Sequence, residues 1–412
     1  MKHPNRLLVV ITLLTTIVLL FSLPQLVRKV TISKDDYPFV YYSSKLREIA
    51  IIDYSDKQYP MQDLEGKKYS TAQFDTLLPL LNYRQLMSDG IMPDSIEGFE
   101  VTPRILAINS VVFRYNPRDY ATPKVGIYAL LECMPTRVGL TAPTDFFRID
   151  DRIEFIDAAT NRVDSEKSEK FQKAMLKQGY EFPTQWVRGD ANTRKSYDEG
   201  YFCLDNKGDL YHLKMVNGRP FVRNTMAADS IEVAQFINYL PASKRFYGVI
   251  VSKEGLFYLL ESDDMGGYVT RQLDIDPIDI DRDQMLVMGN LLYWNIAVTN
   301  SEGRLYYTLA ADDLQRVATH SILREANLWD RVSQWLFPIQ IEFERGESAY
   351  IYGRLNVSGY PAWILSILLS VVCGLVIYRR ENIGVRLFIT LLIAVSGLAG
   401  YIAVAMLPRF RK

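Results

Sequence analysis

The chain is apolar at its two ends and polar between them. Residues 7–23, LLVVITLLTTIVLLFSL, carry no charge, and the apolar run continues to Val27 through Pro24 and Gln25. Hydrocarbon offers backbone amides no partner, so such a run predicts a helix that satisfies its own peptide groups. Lys2 and Arg6 ahead of it would also suit a cleaved signal peptide. The run is longer than an ordinary signal core and no A-x-A-like site follows, so an uncleaved anchor is the better reading. Two further uncharged runs, 360–378 and 387–407, are joined by RRENIGVR at 379–386, a connector short enough to force an antiparallel hairpin. The ends together predict three transmembrane helices, one N-terminal and two C-terminal.

Between 29 and 361 the pattern changes to short alternating strands with helical insertions. An extended stretch at 38–54 is rich in Tyr, Val and Ile. Ser70-Thr-Ala-Gln73 is a capping-box pattern, and Phe74, Leu77, Leu78, Leu81 and Leu86 follow near helical spacing. Pro79 is expected to kink that helix and Gly90 to stop it. A second helix is expected at 165–178, with Phe171, Met175 and Leu176 on one side.

A recurrence dominates the middle of the chain. IEFIDAATNRV (153–163), YFCLDNKGDLYHLK (201–214), YGVIVSKEGLFYLLE (247–261) and NIAVTNSEGRLYYTL (295–309) each read strand, polar turn, strand. Their turn residues Asn161, Gly208, Gly255 and Gly303 are spaced 47, 47 and 48 apart. Asn and Gly tolerate the positive φ that such turns demand. A period in the forties with several strands per unit suits propeller blades, and unrelated hairpins in a β-meander are the alternative. Beyond the repeat we expect an amphipathic helix at 314–335, with Trp329 and Trp335 near a bilayer surface or in a core. Strands at 337–344 and 349–355 would lead into the membrane.

The fold expected is therefore mainly β with helical insertions: a propeller-like or β-meander repeat domain plus three transmembrane helices. The divisions are an anchor at 1–28, a mixed α/β part at 29–150, the repeat region at 151–313, a helix and hairpin at 314–359, a membrane hairpin at 360–407 and a basic tail at 408–412.

Composition narrows the function. The 412 residues hold 47 Lys and Arg against 48 Asp and Glu, so no basic field recommends nucleic acid as a partner. The two C-terminal membrane runs contain no Asp, Glu, Lys, Arg or His, which argues against a self-sufficient pump. The sequence has no HExxH, no P-loop and no G-x-S-x-G, and its three His (His3, His212, His320) are scattered, the last on the expected 314–335 helix. Cys133, Cys203 and Cys373 make no CxxC. A Cys133–Cys203 bond is possible, but their apolar surroundings suit buried thiols better.

Two clusters qualify as candidate sites. LDIDPIDIDRDQ carries Asp274, Asp276, Asp279, Asp281 and Asp283, of which Asp279, Asp281 and Asp283 are the weak candidates for a divalent cation. As a calcium loop starting at Asp279 it has Gln284 where Gly is needed and Asn290 where Glu is needed, so a solvated loop or strand edge is the better reading. Arg188, Arg194, Lys195 and Asp198, around RKSYDEGY, could form a polar binding rim. No cofactor is expected. In the last apolar run, Ser396 with Gly400 and Ala399 with Ala403 set small residues four apart, a face for close helix packing. We read that face as internal packing, with a partner subunit as the alternative.

Sidedness follows from short-loop charges. With the N-terminus cytoplasmic, Lys2, Arg6, Arg379, Arg380 and Arg386 lie inside and Arg409, Arg411 and Lys412 outside. Counting Arg28, Lys29 and Lys34 as well would reverse the balance. We expect a multi-pass protein of the inner membrane with the large middle region in the periplasm.

PFVYYS (38–43), FDTLLPLLNYRQL (74–86), TRKSYDEGY (193–201) and LKMVNGRPFVRNT (213–225), with the helices at both ends, resemble an uncharacterised family of Bacteroidota membrane proteins, a domain of unknown function. That family is often encoded near ABC-transporter ATPase and permease genes. The resemblance implies a non-catalytic accessory subunit that has the lipid bilayer and an ABC permease as partners. It supplies no site residues. A periplasmic ligand-binding sensor is the alternative, and a metal-dependent hydrolase using the Asp cluster a more distant one.

Overall fold

In the computed structural model the described residues are 6–31, 37–58, 60–123, 125–263, 265–343, 349–379 and 382–407. The chain forms two compact units, one of residues 37–323 and one that combines 1–36 with 324–412.

The 37–323 unit is mainly β, built of antiparallel sheets, none of them a closed barrel among the described residues. The 38–54 stretch is a hairpin, Phe39–Ser43 against Glu48–Ile52, extended by Met61–Asp63. The Ser70 capping box forms as expected and starts Thr71–Leu77. That helix does not kink at Pro79 and continue, however; it ends. A residue before proline is pushed out of the helical region, and Leu78 sits at φ −119°, ψ 61°. A separate helix, Tyr83–Ser88, follows.

The repeat region holds three successive antiparallel meanders. The first is Trp186–Gly189, Tyr201–Leu204, Leu210–Val216 and Arg219–Asn224; the second is Val233–Asn238, Phe246–Ser252, Phe257–Ser262 and Tyr268–Gln272. The third is Gln284–Gly289, Tyr293–Thr299, Gly303–Ala310 and Arg316–Leu323, and its first strand also pairs with Val111–Tyr115 from far upstream. A shorter three-stranded sheet, Asp145–Ile149, Ile153–Asp157 and Val163–Asp164, precedes them, followed by the helix Ser165–Lys177.

Each of the four repeated hairpins turns where the spacing places it, and the structure shows why. Four polar side chains, Asp157, Asp205, Ser252 and Asn300, cap the turns by accepting backbone N–H groups. Asp157 accepts from Thr160 at 2.8 Å, Asp205 from Lys207, Gly208 and Asp209 at 2.9–3.0 Å, Ser252 from Leu256 at 3.0 Å, and Asn300 from Glu302 and Gly303 at 2.9 and 3.0 Å. A side-chain acceptor that imitates a backbone turn is the reason Asp, Asn and Ser recur there.

The first two meanders are buried on both faces, because alternate residues of a strand point opposite ways. From the first, Tyr201, Cys203, Tyr211 and Leu213 join Phe147, Phe155 and Phe171, whereas Phe202, Leu204 and Leu210 join Phe236, Ile250 and Leu260 of the second. The opposite face of the second, with Val249, Val251, Phe257 and Leu259, packs with Val287, Trp294, Ile296 and Leu309 of the third.

The stretch 314–335 is not one helix. Arg316–Leu323 is the edge strand of the third meander, alternating half-buried and exposed, and only Leu328–Leu336 is helical, with Asn327 and Asp330 in a capping box. Val317, Thr319 and Ile322 are stiff β-branched residues that suit a pleated surface; His320 accordingly lies in a strand, not a helix.

In the second unit, Ile339–Glu342 pairs with Arg354–Val357, somewhat later than the strand expected at 349–355; residues 344–348 lie outside the described residues. Among the described residues two helices are long and apolar enough to cross a membrane, Arg6–Thr31 and Tyr360–Ile377, not three. The third run is broken. Gly397, at φ 58° and ψ −131°, separates Ile383–Ser396 from Leu398–Met406. The break withdraws the N–H that a continuous helix would aim at the Ala394 carbonyl. The Ser366 hydroxyl, buried on the preceding helix, takes its place, lying 2.8 Å from the carbonyls of both Ile393 and Ala394. The 408–412 tail expected to be basic lies outside the described residues.

Candidate functional site

The four rim residues are not one constellation. The connection from Trp186–Gly189 to Tyr201–Leu204 folds back on itself: Asp198 is buried and accepts from the Gly200 N–H at 2.7 Å. The Lys195 ammonium lies 3.5 Å from Asp198 and 3.3 Å from Asp190, and also donates to the Asp190 carbonyl. Burial raises the Asp198 carboxyl above the ordinary carboxylate range, against the pull of Gly200 and Lys195. Tyr197 donates to the Pro241 carbonyl at 2.6 Å, and a 300 Å³ depression opens between this loop and 238–242. Arg194 is exposed.

Arg188 takes a different place. It donates to Gln235 Oε1 at 2.7 Å, joining the first strands of the first and second meanders, and lies over the rings of Tyr120 and Trp186 at 5.2 and 5.3 Å. Burial lowers its pKa, and its Nε has no acceptor among the described residues. This is an inter-sheet strut held by ring faces.

His212 is a strut too. It is fully buried, stacked on Phe202 at 4.4 Å and bonded to the Tyr268 hydroxyl at 2.7 Å and to the Glu199 carbonyl. Burial, reinforced by the Lys214 charge, depresses its pKa to about 3, so it stays neutral at pH 7. Cys133, Cys203 and Cys373 are free thiols. Burial pushes Cys133 up to about 12, which leaves it a poor nucleophile.

The acidic stretch spends its carboxylates locally. Asp279 accepts the Asp281 N–H and Asp283 the Asp279 N–H, both at 3.0 Å, so these side chains close a turn. Asp276 pairs with Arg316 at 2.8 Å and accepts from the Tyr307 hydroxyl at 3.0 Å; Asp274 accepts the Arg316 N–H. Among the described residues no three His, Cys, Asp or Glu side chains converge as a metal site would require. The small residues Ser396, Ala399, Gly400 and Ala403 are all buried within the helical unit, where Leu398–Met406 lies against Arg6–Thr31. In the N-terminal helix Thr12 and Thr16 are buried, their hydroxyls returned to the carbonyls of Leu8 and Thr12.

A further space is lined by residues to which the sequence assigned no chemistry, although several of them lie in PFVYYS and FDTLLPLLNYRQL. A cavity of about 220 Å³ is lined by Tyr41, Tyr42, Tyr83 and Tyr293, by leucines of 77–81 and Leu106, and by Met288 and Asn295. Ser44 and Pro79 are shared with a neighbouring, more open chamber of about 450 Å³ that holds Lys45, Leu86, Ile91, Ile96 and Glu97. Its tyrosines come from strands and a helix up to 252 positions apart, so no local spacing could announce them.

No curated protein matches the chain. Residues 39–309, which run from the first strand of the β-rich unit through most of the third meander, match the model of the domain of unknown function DUF4857. The chain belongs to that family.

Proposed function

We propose that the chain is a membrane-anchored, non-catalytic accessory subunit whose 37–323 unit is a binding domain outside the cytoplasm. One observation carries the membrane part. Only 17% of the most apolar window of Arg6–Thr31 is buried, and 28% of that of Tyr360–Ile377. Leu7, Leu14 and Val18 on the first, and Ile364, Leu368, Leu375 and Val376 on the second, stand exposed. A soluble core helix would hide these side chains, and lipid or a partner helix is their natural cover. At about 1.5 Å per residue the first helix reaches about 39 Å, more than the hydrocarbon thickness.

The non-catalytic part is supported by the way the titratable groups are used. His212 is locked neutral, the Asp276–Arg316 and Lys195–Asp198 pairs are closed on themselves, and Asp279 and Asp283 cap backbone. The stacked meanders, with the first strands of the first two as neighbours, favour a propeller-like arrangement over unrelated hairpins. An inner-membrane location, a periplasmic face for the binding domain and an ABC-type permease as partner rest on the charge balance of the short loops and the family resemblance. In this reading Ile383–Ser396 and Leu398–Met406 form the third, broken membrane segment.

Purification of the tagged chain in mild detergent tests the proposal. A membrane permease or its ATPase should co-purify stoichiometrically; recovery of the chain without either overturns the accessory role.

A further inference from the structure

The two adjoining chambers of the 37–323 unit are a ligand site, and we infer that they take a single acyl chain ending in an anionic head group. The inference goes beyond the accessory role and does not depend on it.

The inner chamber has the walls of an alkyl site. Leu77, Leu78, Leu80, Leu81, Leu106 and Met288 line it. Its aromatic rings offer edges rather than open platforms, since Tyr42 and Tyr293 pack on each other at 4.7 Å and the Arg84 guanidinium covers Tyr83. A sugar needs a free ring face, and a cation needs a carboxylate; no carboxylate lines this chamber. The volume falls in the range of small-molecule sites once the outer chamber is included.

Polar groups converge on the apolar walls as donors. Asn295 is 5% exposed, and its Oδ1 accepts from the Tyr42 N–H at 2.9 Å and the Thr308 hydroxyl at 3.3 Å. Those bonds fix the amide and leave its Nδ2 without an acceptor among the described residues, on the cavity wall. Among the described residues the Tyr41 hydroxyl has only the Met288 thioether, 3.8 Å away. In the outer chamber, Glu97 is engaged by the Tyr293 hydroxyl at 3.0–3.1 Å, and Lys45 has no ion-pair partner among the described residues. A free ammonium beside an apolar slot selects a carboxylate or phosphate attached to the chain.

The test uses the full chain in nanodiscs with a diazirine-bearing palmitate. Irradiation should label peptides containing 77–83, 106–112 or 288–295, saturably, and unlabelled palmitate should compete. Competition by a lysophospholipid of equal chain length as well identifies a lipid as a source; competition by palmitate alone identifies a free fatty acid. Hexadecanol, which lacks the charge, should compete at least five-fold less well, and equal competition overturns the head-group assignment. Ala107→Trp fills the mouth from an exposed helix position and should abolish this labelling while that of Arg6–Thr31 persists. Lys45→Glu should weaken the palmitate signal several-fold. Unsaturable labelling, or unchanged labelling in a folded Ala107→Trp protein, overturns the site.

Discussion

Two glycines at equivalent turns of the repeat face unlike surroundings, and that difference sets a sharp prediction. Gly208 and Gly255 both lie in the left-handed region, at φ +96° and +83°. A Cβ at Gly208 would meet nothing within 4 Å, so Gly208→Ala costs only the backbone conformation, about 1–2 kcal/mol. A Cβ at Gly255 would stand 2.0 Å from the Ile278 carbonyl oxygen and 2.9 Å from its nitrogen. Gly255→Ala must therefore also push the 273–283 segment aside. It breaks the Ile278 N–H bond to the Gly255 carbonyl, 3.1 Å long, and disturbs buried Leu273, Ile275 and Ile278. Lost packing, a lost hydrogen bond and strain bring the total to about 3–5 kcal/mol. At roughly 2–4 °C per kcal/mol for a domain of this size, Tm should fall a few degrees for Gly208→Ala and by about 10 °C for Gly255→Ala. Thermal melts of the full chain in nanodiscs, followed by the fluorescence of buried Trp186 and Trp294, supply the measurement. Equal losses, or a larger loss at Gly208, would refute the stacking of the second hairpin on the 273–283 segment.

Other outcomes follow from single groups. His212 binds its proton near pH 3 in the fold and near 6.5 when unfolded, so the unfolded state holds more protons between those values. Its contribution to stability is full above pH 6.5 and is lost as pH falls, with a slope of at most about 1.4 kcal/mol per pH unit; urea titrations of His212→Gln should lack that component. Ser366→Ala leaves the Ala394 carbonyl without its hydroxyl donor and should destabilise the helical unit by about 0.6–1.7 kcal/mol in detergent unfolding, whereas Ser22→Ala, an exposed hydroxyl returned to its own helix, should be neutral. Arg316→Ala breaks an exposed pair with Asp276 and should cost about 1 kcal/mol or less by the same melts. Cys133 and Cys203 should resist maleimide at pH 7 in the folded chain and react on denaturation, as mass spectrometry would show.

What the sequence made legible was local. The hairpins at 153–163, 201–214, 247–261 and 295–309 announce themselves because a turn writes its demand into one or two residues, and Asp205, Ser252 and Asn300 carry the same signal as the glycines. The Ser70 cap and the Ser165–Lys177 helix were legible for the same reason. The failures came where neighbours decide. Residues 316–323 form a strand because Gly303–Ala310 offers an edge, and an amphipathic count over 314–335 averaged that strand with a short helix. Gly397 breaks an apolar run although glycine is common in unbroken membrane helices; Ser366, thirty-one positions earlier, makes the break affordable. Arg188 and Lys195 looked like one rim by proximity in sequence, but strand and loop carry them to different partners. The tyrosine-lined cavity was not legible as a cavity: PFVYYS and FDTLLPLLNYRQL marked only the family, and Tyr42 meets Tyr293 only in the folded chain.

The central claim is that 37–323 is carried outside the cytoplasm by apolar helices at both termini. With Cys133, Cys203 and Cys373 replaced by serine or alanine, a lone cysteine at exposed Lys253 should be labelled by a membrane-impermeant maleimide in right-side-out membrane vesicles, before any lysis. Labelling of that site only after the vesicles are permeabilised would contradict the account.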